Sequence, residues 1–175
     1  MAAEEIKVNK NHLNEVNYFP VPDNDTGENL SHLMQRIAMD IRQKDNIKDM
    51  LKIVSDSSIK GSRGNSGAIF SQFFQGFEES CPDKTSLYIS ELVACFISGS
   101  EYAYQALKDP VEGTILTAIA SFSQSLKAYS NSDNSLELIF DNSFKSLQST
   151  VEKTKYVLKT KVATQKEDAG ALGFI

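Results

Sequence analysis

The sequence has no tryptophan, only two cysteines, two histidines and four prolines in 175 residues. Cys81 and Cys95 form neither a disulfide framework nor a CxxC zinc site. Cys95 falls in an apolar stripe and reads as core, and Cys81 reads as a loop residue; both suit a reducing compartment. Basic residues are in deficit, 18 Lys and Arg against 23 Asp and Glu, for a net charge of −5. The basic footprint of a nucleic-acid-binding protein is therefore missing. There is no run of about eighteen apolar residues, so no membrane span is expected. The N-terminal "MAAEEIKVNKNHLNE" lacks the apolar core of a signal peptide, and a cytoplasmic protein is expected. No internal repeat or low-complexity linker divides the chain. Its length suits one domain, residues 1–175, with a sizeable core, and 41% hydrophobic content argues against disorder.

Period-two alternation is absent too, and helical spacing takes its place. Six apolar stripes recur. They are Leu30, Leu33, Met34, Ile37, Ala38 and Ile41; then Ile47, Met50, Leu51 and Val54; then Phe70, Phe73, Phe74 and Phe77. Tyr88, Leu92, Cys95, Phe96, Ala103 and Leu107 follow, then Ile115, Ile119, Phe122 and Leu126, and last Leu136, Phe140, Phe144, Leu147 and Val151. The expected fold class is all-α, a bundle or closed ring of antiparallel helices. The Phe70–Phe77 stripe reads as core packing rather than a ligand box.

Breaks between stripes are mostly short and polar, as in "NSDNS" from Asn131 to Ser135, where Ser and Asp offer N-caps. Two breaks differ, and each leads into a helix. In "FPVPDNDTGEN", Pro20 and Pro22 stiffen the approach to Asp23 and Asp25, and Gly27 follows. Two close carboxylates repel unless a cation sits between them. Mg²⁺ suits that place, since it takes one or two carboxylates and completes its shell with phosphate oxygens. Asn17 offers a further neutral oxygen. An isolated pair of this kind is more often a turn with a cap, and Asp25 could cap a helix beginning near Glu28. In "GSRGNSGA", Gly61, Gly64 and Gly67 surround Arg63, Asn65 and Ser66 at a helix start, where free N–H groups favour an anion. A flexible connector with a Ser cap fits those residues as well. The loop is not a GxxxxGK[ST] phosphate loop, and no GxGxxG follows a strand. A third loop, Asp168-Ala169-Gly170, is weak alone. Taken together, acidic and glycine-rich loops before helix starts point to phosphate and metal binding. Phosphoryl transfer needs that positioning and charge neutralisation.

The stretches "LNEVNYFPVPDNDTGENL", "GSRGNSGAIFSQFFQGF", "DPVEGTILTA" and "DAGALGF" resemble the DhaL-like (DAK2) domain, in the family's order and over most of the chain. Within that group they look most like the N-terminal kinase domain of bacterial fatty acid kinase. The ADP-binding subunit of dihydroxyacetone kinase is a more distant likeness. The resemblance implies an eight-helix antiparallel barrel holding ATP or ADP through Mg²⁺ at one end. It implies metal binding by Asn17, Asp23 and Asp25, the two aspartates also being catalytic, and a phosphate side lined by Thr26, Gly27 and Asn29. It implies phosphate contacts from Asn65 and Ser66, adenosine near Gly113 and Thr114, and Asp168 and Gly170 closing the pocket. The sequence departs from the pattern at Asn24, where the family has Gly; at Ala171, where "DAGG" becomes "DAGA"; and in the long polar "KTKVATQKE" before Asp168. The first and last helices are expected to be short, as in a divergent form or a fragment.

The resemblance implies an ATP–Mg²⁺-dependent kinase domain that phosphorylates a fatty-acid carboxylate presented by a lipid-carrying partner protein. The rivals are a dihydroxyacetone phosphotransferase subunit with bound ADP, an inactive nucleotide-binding regulatory module and a helical interaction domain. No residue stands out as a general base; a carboxylate acceptor is already ionised at neutral pH and needs none. His32 reads as an exposed surface histidine. Neither it nor His12 reads as a phosphoryl carrier.

Overall fold

The structure is a computed structural model that describes residues 1–18, 21–131, 134–159 and 166–175. Pro20, Ser132 and Asp133, and most of "KTKVATQKE", lie outside the described residues. Among the described residues there are eight α-helices and no strand. They are α1 (Ala2–Glu15), α2 (Thr26–Asp40), α3 (Ile47–Gly61), α4 (Gly64–Ser80), α5 (Ile89–Gln105), α6 (Ile115–Tyr129), α7 (Leu136–Lys159) and α8 (Ala169–Phe174). The six stripes fall on α2 to α7, and the helices expected at the two ends are α1 and α8. None of the described helices is long and apolar enough to cross a membrane.

Each helix from α1 to α7 packs on the next, and the short α8 sits against α6, α1 and α2. The result is a closed arrangement, with α8 joining the late helices to the early ones. Short links favour such neighbour-on-neighbour packing; only Ser62 and Arg63 separate α3 from α4. Helix starts are fixed locally. Asn46 accepts the N–H groups of Lys48 and Asp49 at α3. Glu91 accepts the Tyr88 N–H at 2.9 Å before α5, and Ser135 accepts the Leu138 N–H at 3.3 Å at α7.

The core runs along the ring axis. Leu30, Leu33, Leu116, Ile119 and Leu126 are fully buried. Phe70, Phe73 and Phe77 join Phe96, Phe122 and Phe174 in a chain of ring contacts at 4.9–6.1 Å. The expected core role of the Phe stripe is thus what the structure shows. Five stripe side chains differ from expectation, the first two being Ala38 and Ile41 at the end of α2, both exposed. Leu136 and Phe144 are 55% and 39% exposed, because α7 buries Ile139, Ser143, Leu147 and Val151 instead. Ser143 satisfies its hydroxyl on the Ile139 carbonyl at 2.7 Å, so a polar residue holds an inward position. Tyr88 precedes α5 and points to solvent.

Cys81 lies just past the end of α4, in the loop as expected, but it is buried at 1% exposed, and its carbonyl accepts Lys48 Nζ at 2.9 Å. Burial raises its thiol and, beside it, pushes Cys95 up to about 12, so both are inert thiols. His32 is half-buried, not a free surface group, because its Nδ1 lies 2.9 Å from the Gly61 carbonyl and ties α2 to the end of α3.

Gly27 sets the approach of α1 to α2. A Cβ there would lie 2.1 Å from the Lys10 carbonyl oxygen and 2.8 Å from Asn14 Oδ1. Backbone cannot rotate away, so Gly27→Ala is expected to cost about 2 kcal/mol despite alanine's better helix propensity. A urea midpoint equal to or above wild type contradicts this packing.

Candidate functional site

The acidic loop is built by the turn between α1 and α2. Asn17, 3% exposed, donates from its amide to the Val21 carbonyl at 2.9 Å and to Asp23 Oδ1 at 2.8 Å, while Thr26 Oγ1 donates to its Oδ1. One buried side chain thus braces both ends of "PDNDT". Asn24, between the two aspartates, turns the chain at φ 55°, a left-handed conformation that Asn tolerates. α2 begins at Thr26, two residues before the expected start near Glu28, with Asp25 at its N-cap position. Yet the Asp25 side chain makes no cap bond, so its carboxylate is not consumed by the helix. Burial raises the Asp25 carboxyl above its ordinary range, an Asn29 side-chain hydrogen bond opposes this, and the neighbouring Asp23 charge raises it further.

The glycine-rich loop meets this turn from the other side. α4 begins at Gly64, and its N-cap residue Arg63 makes no side-chain cap bond. Gly64 has φ +58°, and a Cβ there would lie 2.3 Å from Asn29 Nδ2. Asn29 therefore links the loops: it supports Asp25 and fills the space that Gly64 leaves. Asn65 and Ser66 occupy the first turn of α4, and neither side chain has a hydrogen-bond partner among the described residues.

Two other helix starts complete the wall. Thr114 caps α6, accepting the Leu116 N–H at 3.4 Å, and donates to the Val111 carbonyl at 2.7 Å. Glu112 holds the same turn, accepting from Tyr104 Oη at 2.9 Å and Thr117 Oγ1 at 2.5 Å. Burial, then Glu112 itself, pushes the Tyr104 hydroxyl up to about 12, which keeps it a donor. Asp168 caps α8: its Oδ1 accepts the Ala171 N–H at 2.8 Å, and its own N–H donates to Thr154 Oγ1 at 3.0 Å. Burial pushes its carboxyl up to about 6, against backbone hydrogen bonds from Ala171, Ile115 and Gly170.

These elements surround a cavity of about 310 Å³. Asn17, Asp23, Asp25 and Thr26 form its acidic side, and Asn65 and Ser66 contribute from α4. Thr114 lines it from α6, and Asp168 and Gly170 from α8. Three expected lining residues do not reach it. Gly27 faces α1, Asn29 lies behind Asp25, and Gly113 turns at φ 82° behind Thr114. Residues that no motif singled out do line it: Leu107, Lys108, Asp109 and Val111 from the α5–α6 connection, and Ile69 and Ile115 on an apolar side. Their only sequence signal is a charged pair, Lys108 and Asp109, placed before Pro110 at the edge of "DPVEGTIL".

The geometry has a bias. α3, α6 and α8 have side-chain caps on their first N–H groups. α4 has none, and α2 has only Asn14 Oδ1, which accepts the Glu28 N–H at 3.2 Å; the starts of α2, α4, α6 and α8 all face the cavity. Uncapped N–H groups carry partial positive charge toward an anion. Asp23 and Asp25, at the α2 start, bring two carboxylates whose mutual repulsion is relieved by a cation. Among the described residues no group of three or more His, Cys, Asp or Glu side chains is placed to hold a metal. Two carboxylates are fewer ligands than a closed structural metal centre uses.

The family model of the DAK2 domain matches residues 20–175. The MG369 homolog of Mycoplasma pneumoniae is 34% identical over 183 residues, covering 99% of this chain and 33% of that protein. MG369 of Mycoplasma genitalium is 35% identical over 186 residues, again 99% and 33%. YloV of Bacillus subtilis is 29% identical over 175 residues, 99% of this chain and 32% of its own length. The chain spans about a third of the length of these curated relatives. Domains of the matched family bind ADP or ATP and are associated with kinase subunits. With all-helical architecture and the family match covering most of its length, the chain belongs to the DAK2 domain family and is a DhaL-like, nucleotide-binding, kinase-related module.

Proposed function

We propose that this chain is the ATP–Mg²⁺-dependent kinase domain of a fatty acid kinase-like enzyme, transferring a γ-phosphoryl group to a fatty-acid carboxylate. The acceptor arrives on a separate lipid-carrying protein. The observation that carries the nucleotide reading is the convergence of the α2 start and the uncapped α4 start on a cavity with a carboxylate pair. Asp23 and Asp25 would hold Mg²⁺; bound there, it would neutralise phosphate charge. Asn17 orients Asp23 through its amide and, with its oxygen engaged by Thr26, acts first as a brace and not as a ligand. N–H groups at the starts of α2 and α4, with Asn65 and Ser66, receive phosphate oxygens. Leu107, Val111 and Ile115 give the base an apolar wall.

No histidine lines the cavity, and the carboxylate of highest affinity for a proton, Asp168, is occupied with backbone N–H groups. A carboxylate acceptor requires no proton removal, whereas a hydroxyl acceptor such as dihydroxyacetone does. That difference supports the acyl reading over the hydroxyl one.

The test is turnover. The chain, ATP, Mg²⁺, oleate and a lipid-carrying protein are mixed and acyl phosphate is trapped with hydroxylamine. Acyl hydroxamate that depends on both Mg²⁺ and carrier supports the proposal. Phosphorylation of dihydroxyacetone instead moves the chain to the hydroxyl class, and tight nucleotide binding with neither product marks a regulatory module.

A further inference from the structure

The cavity wall is unbalanced in charge. Asp23, Asp25, Asp109 and Asp168 place carboxyl groups on it, and among the described residues Lys108 is the only basic side chain that lines it. Lys108 makes no hydrogen bond or ion pair with any described residue, although carboxylates line the same cavity. Some other exposed lysines of the chain do find partners, such as Lys7 with Glu4 at 3.6 Å. The ammonium of Lys108 is thus left uncommitted beside a cavity whose other charged side chains among the described residues are acidic.

Its backbone is held from both flanking helices. The connection that carries it runs from the end of α5 at Gln105 to α6 at Ile115. Glu112 clamps that connection between Tyr104 at the end of α5 and Thr117 in the first turn of α6. The Gly113 N–H donates to Thr117 Oγ1 at 2.9 Å, and Thr114 fastens the Val111 carbonyl. The loop is therefore placed by polar bonds on both flanking helices, and its lysine is delivered to a wall distinct from the acidic turn and the α4 start.

We infer that Lys108 is a phosphate-binding residue that contacts the terminal phosphate of a nucleoside triphosphate. The inference rests on the nucleotide reading above and deepens it. A phosphate chain lying between the α2 and α4 starts has donors there from backbone and from Asn65 and Ser66. On the third side, facing the α5–α6 connection, Lys108 supplies the cationic donor. Phosphoryl transfer spreads charge over the oxygens of the moving group, and a fixed cation there neutralises it. Because lysine acts as a point charge, arginine at the same place retains the charge and a donor.

The test is calorimetric titration of the chain with the imido analogue of ATP plus Mg²⁺, with ADP plus Mg²⁺, and with adenosine. Lys108→Gln is expected to weaken the triphosphate analogue about tenfold, weaken ADP less, and leave adenosine within about twofold. Lys108→Arg is expected to recover most of the loss. The unfolding midpoint should not move, since Lys108 is exposed and unpartnered, so a packing role is separable from a binding one. Triphosphate affinity of Lys108→Gln within about twofold of wild type, or an equal loss for adenosine, overturns the role of Lys108 while the nucleotide reading stands. Absence of Mg²⁺-dependent triphosphate binding by the wild-type chain overturns both.

Discussion

Asp23→Asn together with Asp25→Asn is expected to lower Mg²⁺–ATP affinity by more than about 100-fold, since losing mere supporting groups around a metal already costs 10–100-fold. Binding of metal-free adenosine should change little, because the apolar wall of Leu107, Val111 and Ile115 is untouched. The same double variant should fold at least as well as wild type. Burial and the adjacent Asp23 charge both hold the Asp25 carboxyl above its ordinary range, so the pair is a destabilising feature in the absence of a cation. Asn24 remains at φ 55° between them, and Asn17 still has a carbonyl-type oxygen at position 23 to bond. Higher thermal stability with lost Mg²⁺–ATP binding is the signature of residues kept for function at a cost in stability. Lower stability together with intact nucleotide affinity would mean that the pair is a turn and nothing more.

Asp168→Asn is expected to have a pH-dependent effect on stability. The ordinary carboxyl value is 3.8, and in the fold burial pushes Asp168 up to about 6. Between those values the native chain holds a proton that the unfolded chain has released. The unfolding free energy therefore falls as pH rises from about 4 to about 6, and is flat above. A displacement of about two units corresponds to about 3 kcal/mol, fully expressed by pH 7. Asn keeps the cap on α8, accepts the Ala171 N–H in the same way, and carries no charge to desolvate. The variant should match wild type near pH 4 and exceed it by up to about 3 kcal/mol at pH 7. Urea midpoints at four pH values between 4 and 7 measure the gap. A gap that stays constant, or opens toward acid, would show that Asp168 ionises at its ordinary value.

The helical stripes were legible because burial imposes a 3.6-residue period on apolar residues, and α2, α4, α5 and α6 largely follow it, whereas α3 buries Ser55, Ser57, Ser58 and Gly61 in place of its stripe. The stripe failed on α7, where Ser143 takes a core position by bonding its own helix. The motif loops were legible as loops, and the structure brings Asp23, Asp25, Asn65, Ser66, Thr114 and Asp168 onto one cavity. Their mutual dependence was not legible. Asn29 joins the acidic turn to the glycine-rich loop only because Gly64 vacates the space beside it, a contact across 35 residues of chain that no local pattern reports. Gly27 was assigned to the phosphate side on its place in a motif, whereas its lack of a Cβ serves the approach of α1. Lys108 escaped notice because a single charge in a connection has no periodic signature; only the fold brings it to the cavity that the aspartates line.

The most direct test replaces Mg²⁺ with Mn²⁺ in crystals grown with the imido analogue of ATP and locates the metal by its anomalous signal. A peak about 2.0–2.3 Å from carboxylate oxygens of Asp23 and Asp25, with a phosphate oxygen in the same shell, is the expected result. A triphosphate bound elsewhere, or bound here with both carboxylates turned to solvent and no metal between them, contradicts the proposed role of the acid pair.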